Sequence, residues 1–472
     1  MQGRRFYVKL AFIVFLMVFL LVPQAFIFGV VSERAGWREQ AYQSIGQSWP
    51  GEQTFAGPLL VLPYQLTRTV KEKVKDADGT EHEISRDTLS QERLLLMPKQ
   101  LNITSKLDST LRYRGIYAVP VYSSTLQIKG QFDQQQLTDL LSGYQNPNLQ
   151  WGKPYLAVMV RDQRGIVSPP TLQWAGNKVA FAPGSDLPGN RVDAGMHAVL
   201  PAMNPHELGE MAFNFDMSLN GMRGMNFALL SEDTQIQQAA NWSSPSFTGE
   251  ILPTERNVTE GSFTAQWRAS SFSINVQDAL TQCRTGDCSN LTLRTVGFNL
   301  IQPVDVYQQA ERSVKYALLF IVLTFGVLVL FELLKQLRIH PVQYTLVGFA
   351  LLVFYLLLIS LSEHVTFALA YGVAGLASAS LLTLYFGAIL HSRKLGLLLG
   401  AGLAGLYGLL YVILQAEENA LLMGSILIFA VLAVLMLTTR HFDWYALMGN
   451  TSTDTPSAAS AQNLQKTSAV SP

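Results

Sequence analysis

Charged residues are scarce in this chain. Asp, Glu, Lys and Arg make up 14% of its 472 residues, whereas hydrophobic residues make up 49%. A soluble globular protein carries roughly 25% charged residues, so the deficit indicates a membrane protein. The 34 basic and 34 acidic residues cancel, and no basic run is interleaved with aromatic residues. Both observations argue against a nucleic-acid partner.

Motifs that carry chemistry are missing too. The chain contains no P-loop, no Gly-x-Ser-x-Gly nucleophile elbow and no His-Glu-x-x-His helix. Its seven histidines are scattered along the chain. We therefore predict a protein that is not an enzyme and that holds neither a cofactor nor a metal.

Cysteine is nearly absent, since only Cys283 and Cys288 occur, in the stretch CRTGDC. Four residues separate them, which excludes the redox motif with two intervening residues. Zinc would need further ligands, and none is near in the sequence. If this segment faces the oxidising periplasm, as argued below, a disulfide is the favoured prediction. Two free thiols are the alternative.

The first long apolar run covers residues 8–31, in which Lys9 is the only charged residue. At 1.5 Å per residue the run spans about 35 Å, enough for a hydrocarbon core of about 30 Å. Basic residues at its start predict that residues 1–7 are cytoplasmic. A cleaved signal peptide would have a shorter apolar region, of about 7–15 residues, and a small-residue cleavage site. We therefore predict an uncleaved transmembrane helix.

Five more apolar runs follow late in the chain, at residues 314–334, 344–361, 365–390, 395–415 and 420–438. Each is near the length of a membrane span. The loops between them alternate between basic and non-basic, as the positive-inside rule requires. The sequence thus predicts a six-helix transmembrane bundle with both termini cytoplasmic. The Ser-, Thr- and Ala-rich tail at 439–472 is predicted to be cytoplasmic and largely disordered.

Glycines crowd the fifth span, at Gly396, Gly400, Gly405 and Gly408. The first two form a small-xxx-small pair, which lets two helices approach closely. We expect this contact to lie within the bundle, and a dimer interface is the alternative.

Residues 32–313 form the predicted periplasmic domain. Residues 32–49 are predicted to continue as a helix, and residues 131–143 to form a second, short one. Elsewhere, alternating apolar and polar residues favour strands. Turn dipeptides such as Gly57-Pro58 break these stretches. Many short strands with such turns indicate a β-rich, sandwich-like domain inserted after the first helix.

Four ionisable residues fall at the outer ends of the third and fifth spans: Glu363, His364, Glu417 and Glu418. Ionisable groups near the hydrocarbon are costly and often functional. We therefore consider a polar site there for a cation, a proton or a lipid headgroup. The simpler alternative is that these charges only lie among the headgroups. Glu332, near the inner end of the second span, is expected to pair with Lys335 or Arg338.

Several long strings resemble one known family. They include VSERAGWR (31–38), GPLL (57–60), WGKPYLAVMVRDQRGI (151–166), WSSPSFTGEILPTER (242–256), FELLKQLRIHPVQYTLVGFALLVFYLLLISLSEH (331–364) and RHFDWY (440–445). These strings resemble the CreD family of inner-membrane proteins of cell-envelope integrity. The resemblance implies a role in envelope stress within a two-component regulon. It brings no catalytic residues with it.

Three functions are compatible with these features. The first, which we favour, is a non-catalytic envelope protein whose periplasmic domain binds a protein, peptidoglycan or a lipid. The second is a transporter or lipid-handling protein, which the lack of an inverted repeat and of Gly- or Pro-broken spans disfavours. The third is a membrane enzyme that uses Glu363 and His364. The oligomeric state is not predicted.

Overall fold

The chain divides into two compact units. The computed structural model describes residues 2–75, 81–189, 192–302, 306–335, 339–415 and 420–440. The helical unit comprises Met1–Ala35 together with Val304–Pro472, and the β-rich unit comprises Gly36–Pro303. The β-rich unit is therefore inserted between two parts of the helical unit. Glu417, Glu418, Arg338 and the tail from residue 441 lie outside the described residues.

The described residues contain nine α-helices. They are α1 (Gln2–Ser48), α2 (Gln134–Ser142), α3 (Gln277–Arg284), α4 (Val306–Lys315), α5 (Ala317–Lys335), α6 (Pro341–Ser362), α7 (Phe367–Ile389), α8 (Arg393–Gln415) and α9 (Ala420–Thr439). Helix α1 continues past residue 31 as far as Ser48, so the helix expected over residues 32–49 is present. Five of the six predicted spans each coincide largely with one of these helices, and the span at 314–334 covers the end of α4 and most of α5.

Fewer than six helices meet the length and hydropathy of a membrane span. Four do so among the described residues: Tyr7–Ser48, Pro341–Ser362, Phe367–Ile389 and Arg393–Gln415. A fifth span results if α4 and α5, which meet at a bend of 43°, are taken together. The apolar part of α9, Leu422–Leu437, is shorter. The structure thus has four or five membrane-capable helices, and a count of six remains a prediction.

Local sequence sets the start of α6. Pro341 occupies its first turn, where the missing N–H costs nothing. His340 Nδ1 accepts a hydrogen bond from the Val342 N–H at 3.3 Å, and Gln343 Oε1 accepts one from the His340 N–H at 2.9 Å. This reciprocal cap satisfies backbone donors that the first helical turn leaves unpaired.

Helices α7 and α8 pack closely through two of the four glycines. A Cβ atom added to Gly396 would lie 2.6 Å from the Gly387 Cα, and one added to Gly400 would lie 1.8 Å from the Thr383 Oγ1. A Cβ at Gly405 or Gly408 would meet no described atom within 4 Å. The close approach is therefore a contact within the bundle, as expected, and it involves only the first two glycines.

Seventeen strands occur in the described part of the β-rich unit. They are β1 (Gln53–Lys75), β2 (Glu81–Leu96), β3 (Gln100–Arg114), β4 (Tyr117–Gln131), β5 (Leu149–Trp151), β6 (Tyr155–Val160), β7 (Thr171–Trp174), β8 (Asn177–Ala180), β9 (Ala182–Pro183), β10 (Gly195–Val199), β11 (Ala212–Met222), β12 (Gly224–Ala228), β13 (Asp233–Ala240), β14 (Pro245–Gly249), β15 (Glu255–Val258), β16 (Phe263–Ser270) and β17 (Thr295–Leu300).

The strands form two sheets around a common core. One sheet has the order β14-β17-β12-β1-β6-β10-β9, with β2 and β5 also paired to β1, and the other has the order β15-β16-β13-β3-β4-β11-β7-β8. Side chains of both sheets, such as Phe55 and Leu156 of the first and Ile103 and Phe215 of the second, belong to one buried cluster. The expected sandwich-like arrangement of this unit is therefore observed.

Burial along the strands follows from their position. Strand β3 alternates exposed and buried residues, so that Leu101, Ile103 and Leu107 face the core. All six residues of β6, an inner strand between β1 and β10, are buried. Since side chains alternate between the two faces of a sheet, both faces are covered at this strand. Gly57-Pro58 does not form the expected turn. It lies within β1 at an irregularity of the β1–β6 pairing, where Gly57 adopts a φ of 101° that glycine tolerates best.

A two-stranded ribbon extends from the first sheet. Strands β1 and β2 pair from Leu60↔Leu96 out to Lys75↔Glu81, whereas the other described partners of β1 end at Leu66. We call Arg68–Lys75 and Glu81–Thr88, eight consecutive pairs, the β1–β2 ribbon. At about 3.3 Å per residue it is roughly 25 Å long.

The last turn of α1 is held within the β-rich unit by an arginine. Arg164 donates from Nη1 to the Gln47 carbonyl and from Nη2 to the Gly46 carbonyl, both at 3.1 Å. Asp162 in turn accepts from the Arg164 guanidinium at 2.6 Å and from the Gly51 N–H at 3.0 Å. An arginine at this position satisfies carbonyls that a helix end leaves unpaired.

This anchor predicts a pH-dependent contribution to stability. The hydrogen bond from Arg164 holds the pKa of Asp162 below its usual value. A lowered folded-state pKa stabilises the fold above the unfolded-state pKa of about 3.9, and the contribution is lost as the pH falls further. Asp162→Asn should therefore lower the free energy of unfolding at pH 7 by about 1.5–3 kcal/mol. Urea unfolding followed by tryptophan fluorescence should show that the free energies of unfolding of the two proteins converge as the pH falls below about 4. An unchanged difference between these free energies below that pH would contradict the proposed role of Asp162.

Candidate functional site

The first polar cluster of the helical unit, the Arg34 corner, lies at the end of α6. It comprises Arg34 on α1, Glu363 and His364. Glu363 directly follows α6, and its Oε1 lies 3.4 Å from the Arg34 Nη1. Only 11% of the Glu363 side chain is exposed. A carboxylate that has lost most of its hydration is stabilised by an adjacent guanidinium, so this contact fixes α1 against the end of α6.

The structure describes only two of the four residues of the polar site that the sequence suggests. His364 is exposed, and its Nδ1 donates to the Ser360 carbonyl at 3.2 Å, so its ring is engaged by its own helix end and not by Glu363. Glu417 and Glu418, the other two members of that site, lie outside the described residues.

A second cluster, the Lys9 cluster, lies near the start of α6. It comprises Lys9, Glu332, Ile339 and Tyr344. The Lys9 ammonium donates to Glu332 Oε1 and to the Ile339 carbonyl. The Tyr344 hydroxyl donates to Glu332 Oε2 at 2.8 Å, and the Ile339 N–H donates to Glu332 Oε1 at 3.3 Å. Both carboxylate oxygens are therefore satisfied, and one side chain of α5 holds both α1 and α6.

The two clusters attach α1 to opposite ends of α6. Tyr344 is the fourth residue of α6, and Glu363 follows its last residue. Lys9 and Arg34 are 25 positions apart on α1, which is roughly 37 Å along a helix axis. A hydrocarbon core is about 30 Å thick. The distance between Lys9 and Arg34 therefore suits two charges that lie on opposite sides of a bilayer. In both clusters, a pair of opposite charges attaches one helix to another.

Glu332 lies near a helix end, as expected, and the structure pairs it with Lys9. The side chains of its expected partners, Lys335 and Arg338, lie outside what the structure describes, so that pairing stays a prediction. Lys9 stands alone in an otherwise apolar run, and a lone charge in such a position commonly pairs within the bundle. That signal identifies Lys9 as a residue with a partner, but it does not say which one.

The helical unit also contains a bent helix pair. Helices α4 and α5 meet at Tyr316 with the bend of 43°. The sequence shows no Gly- or Pro-broken span, and neither residue is present at this bend. The bend therefore does not contradict the expected lack of Gly- or Pro-broken spans, but it is a break that this expectation did not consider.

The β-rich unit has a polar surface cavity of about 460 Å³. Arg93, Asp186, Asp193 and His197 are among its lining residues. His197 Nδ1 lies 2.7 Å from the Gly184 carbonyl, which can only accept, so Nδ1 donates this hydrogen bond. Positively and negatively charged side chains both line the cavity, which suits a small polar ligand.

The two cysteines lie next to this cavity wall. Cys283 and Cys288 are joined by a disulfide and are fully buried. The Cys288 N–H donates to the carbonyl of Pro188, which lines the cavity, at 2.9 Å. The bridge thus ties the α3 segment to the cavity loop. Among the described residues, no three His, Cys, Asp or Glu side chains come together as metal ligands.

A thiol count tests the disulfide. Denatured, non-reduced protein from membranes should bind no maleimide at Cys283 or Cys288, because both sulfurs are bonded to each other. The same sample should bind two equivalents after reduction. Full labelling without reductant would show that the cysteines are free.

Comparison with known proteins identifies the family. The family model described as "Inner membrane protein CreD" matches residues 5–445. The chain is also 32% identical over 430 residues to the Inner membrane protein CreD of Escherichia coli (strain K12), covering 90% of this chain and 91% of that protein. With several helices apolar enough to span a bilayer, this is a multi-pass protein of the inner membrane. The chain belongs to the CreD family of inner membrane proteins.

Proposed function

We propose that this chain is a non-catalytic protein of cell-envelope integrity and envelope stress. In this proposal its helical unit spans the membrane six times with both termini cytoplasmic, and its β-rich unit lies in the periplasm. The β-rich unit binds an envelope partner, which is a protein, peptidoglycan or a lipid.

The observation that carries the proposed binding role is the β1–β2 ribbon. Within the described residues, no third strand pairs with either of its edges. Free edges of this kind present backbone N–H and C=O groups to an extended segment of another molecule. An isolated two-stranded hairpin is at best marginally stable in water, so a partner that pairs with the ribbon would also stabilise it.

Charge on the ribbon restricts what can pair with it. The β1 side carries Arg68, three lysines and one acidic residue, Glu72. The β2 side carries Glu81, Glu83, Asp87 and one basic residue, Arg86. Cross-strand contacts use part of this charge, since Lys71 lies 3.3 Å from Glu83 and Thr69 donates to Asp87 at 2.7 Å. Charged edges discourage unspecific strand pairing, so a partner of complementary charge is favoured.

Site-specific photocrosslinking tests this role. A photoreactive residue at Ser85 or Leu89, both exposed on or next to the ribbon, should capture a defined envelope component in intact cells. The matched control position is Asn257, exposed on β15 at the edge of the other sheet. It should not capture the same component.

A variant with a shortened ribbon completes the experiment. Replacing residues 68–88 with a two-residue turn removes the free edges and leaves the paired base of β1 and β2. Envelope-stress tolerance should fall while membrane abundance stays unchanged. Normal tolerance, together with no adduct specific to the ribbon, would contradict the binding role.

A further inference from the structure

The bend between α4 and α5 exposes backbone carbonyls inside the helical unit. Gln24 on α1 pairs with one of them, since its Nε2 donates a hydrogen bond to the Val314 carbonyl at 3.0 Å. In a membrane, a carbonyl without a donor costs several kcal/mol. The Gln24 amide therefore has a structural reason to lie at the bend.

Three side-chain oxygens near this bend have no hydrogen-bond partner. They are Gln24 Oε1, Gln309 Oε1 and Ser313 Oγ, and each is buried and unpaired within the described part of the chain. Ser313 as a whole is 0% exposed. Unpaired buried oxygens are rare in native proteins, and each calls for an explanation such as a bound water or ion.

The three residues are connected to the bend by their spacing on α4 and by one hydrogen bond. Gln309 and Ser313 are four residues apart on α4, so their side chains lie on the same helix face. The oxygen and nitrogen of an amide group are roughly 2 Å apart, which places Gln24 Oε1 within roughly 5 Å of the Val314 carbonyl oxygen. Val314 directly follows Ser313 in the chain.

We propose that these oxygens bind one small monovalent cation at the α4–α5 bend, in the class of Na⁺ or K⁺. Amide, hydroxyl and carbonyl oxygens are the ligands that hard cations prefer. The three side chains are uncharged, so the set suits a monovalent ion better than Ca²⁺, whose sites recruit carboxylates. The C-terminal end of a helix carries partial negative charge, and broken membrane helices bind Na⁺ through such ends.

Nearby charges limit the affinity. Arg312 and Lys315 lie in the last turn of α4 and oppose a bound cation. Glu311 offsets part of this positive charge, since its carboxylate pairs with the Lys315 ammonium at 2.8 Å. We therefore expect weak, saturable binding that depends on ion size.

Ion-specific thermal stability of the full-length protein in nanodiscs tests the site. Melting temperatures are compared in sodium, potassium and choline chloride at matched ionic strength. Choline is the control, because its methyl groups keep oxygen ligands away from the positive charge. Sodium or potassium should raise the melting temperature saturably, as expected for a ligand that binds only the folded state. Equal melting temperatures in all three salts would show that water fills the site, and would overturn the proposal.

Two variants and a control locate the effect. Ser313→Ala should raise the apparent Kd for the favoured ion at least about tenfold, which corresponds to about 1.4 kcal/mol. The control is Ser362→Ala. Ser362 is also a buried serine of this unit, but its Oγ donates to the Ile359 carbonyl at 2.9 Å. This variant should keep the dependence of the melting temperature on the ion. If Ser313→Ala does not fold, Gln309→Met serves instead. Retained ion dependence in the folded variant would overturn the proposal.

Discussion

Gly400→Leu should be among the most destabilising substitutions in the helical unit. A Cβ atom at this position would lie 1.8 Å from the Thr383 Oγ1 and 2.9 Å from the Thr383 Cβ. Helices α7 and α8 would have to separate, and overpacking of this kind costs about 1–3 kcal/mol and occasionally more. Unfolding of the purified protein by increasing SDS should show the loss.

The same helix supplies a matched control. Gly405→Leu adds an identical side chain to α8, but a Cβ there would meet no described atom within 4 Å. It should leave the SDS midpoint nearly unchanged. Equal effects of the two substitutions would show that α8 does not pack on α7 through Gly400.

Glu332→Leu should have the second large effect. It removes the carboxylate that accepts from Lys9, Tyr344 and the Ile339 N–H. Lys9, whose side chain is 21% exposed, would lose its counter-charge. A lost hydrogen bond to a charged group costs about 1.5–3 kcal/mol, and the SDS midpoint should fall accordingly.

A double-mutant cycle separates this interaction from general damage. Lys9→Met combined with Glu332→Leu should cost less than the sum of the two single substitutions, because no charge is left unpaired. Tyr344→Phe, which removes only the hydroxyl bond to Glu332, should have a smaller effect. Strict additivity of Lys9→Met and Glu332→Leu would show that the two side chains do not interact.

Local patterns predicted the elements of the fold well. The apolar runs of the late part of the chain coincide largely with α5 to α9. The predicted short helix at 131–143 contains α2. In each case the signal is a property of neighbouring residues, namely hydropathy or its period, and so it can be read from one sequence.

Long-range pairings could not be predicted in the same way. Lys9 and Glu332 are 323 positions apart, and Arg34 and Glu363 are similarly remote, so only the packed helices show that they meet. The bend at Tyr316 has no Gly or Pro to signal it. Gly57-Pro58 carries a strong turn signal, but tertiary pairing with β6 keeps it in a strand.

We propose that the β-rich unit faces the periplasm, and thiol labelling in intact spheroplasts tests this placement. Ser85 lies on the exposed ribbon and His391 on the exposed α7–α8 connection, and each is replaced by cysteine in a separate variant. The two native cysteines are bonded to each other, so they do not react with maleimide. A membrane-impermeant maleimide should label Ser85→Cys in intact spheroplasts and His391→Cys only after lysis. Labelling of His391→Cys but not of Ser85→Cys before lysis would contradict the account.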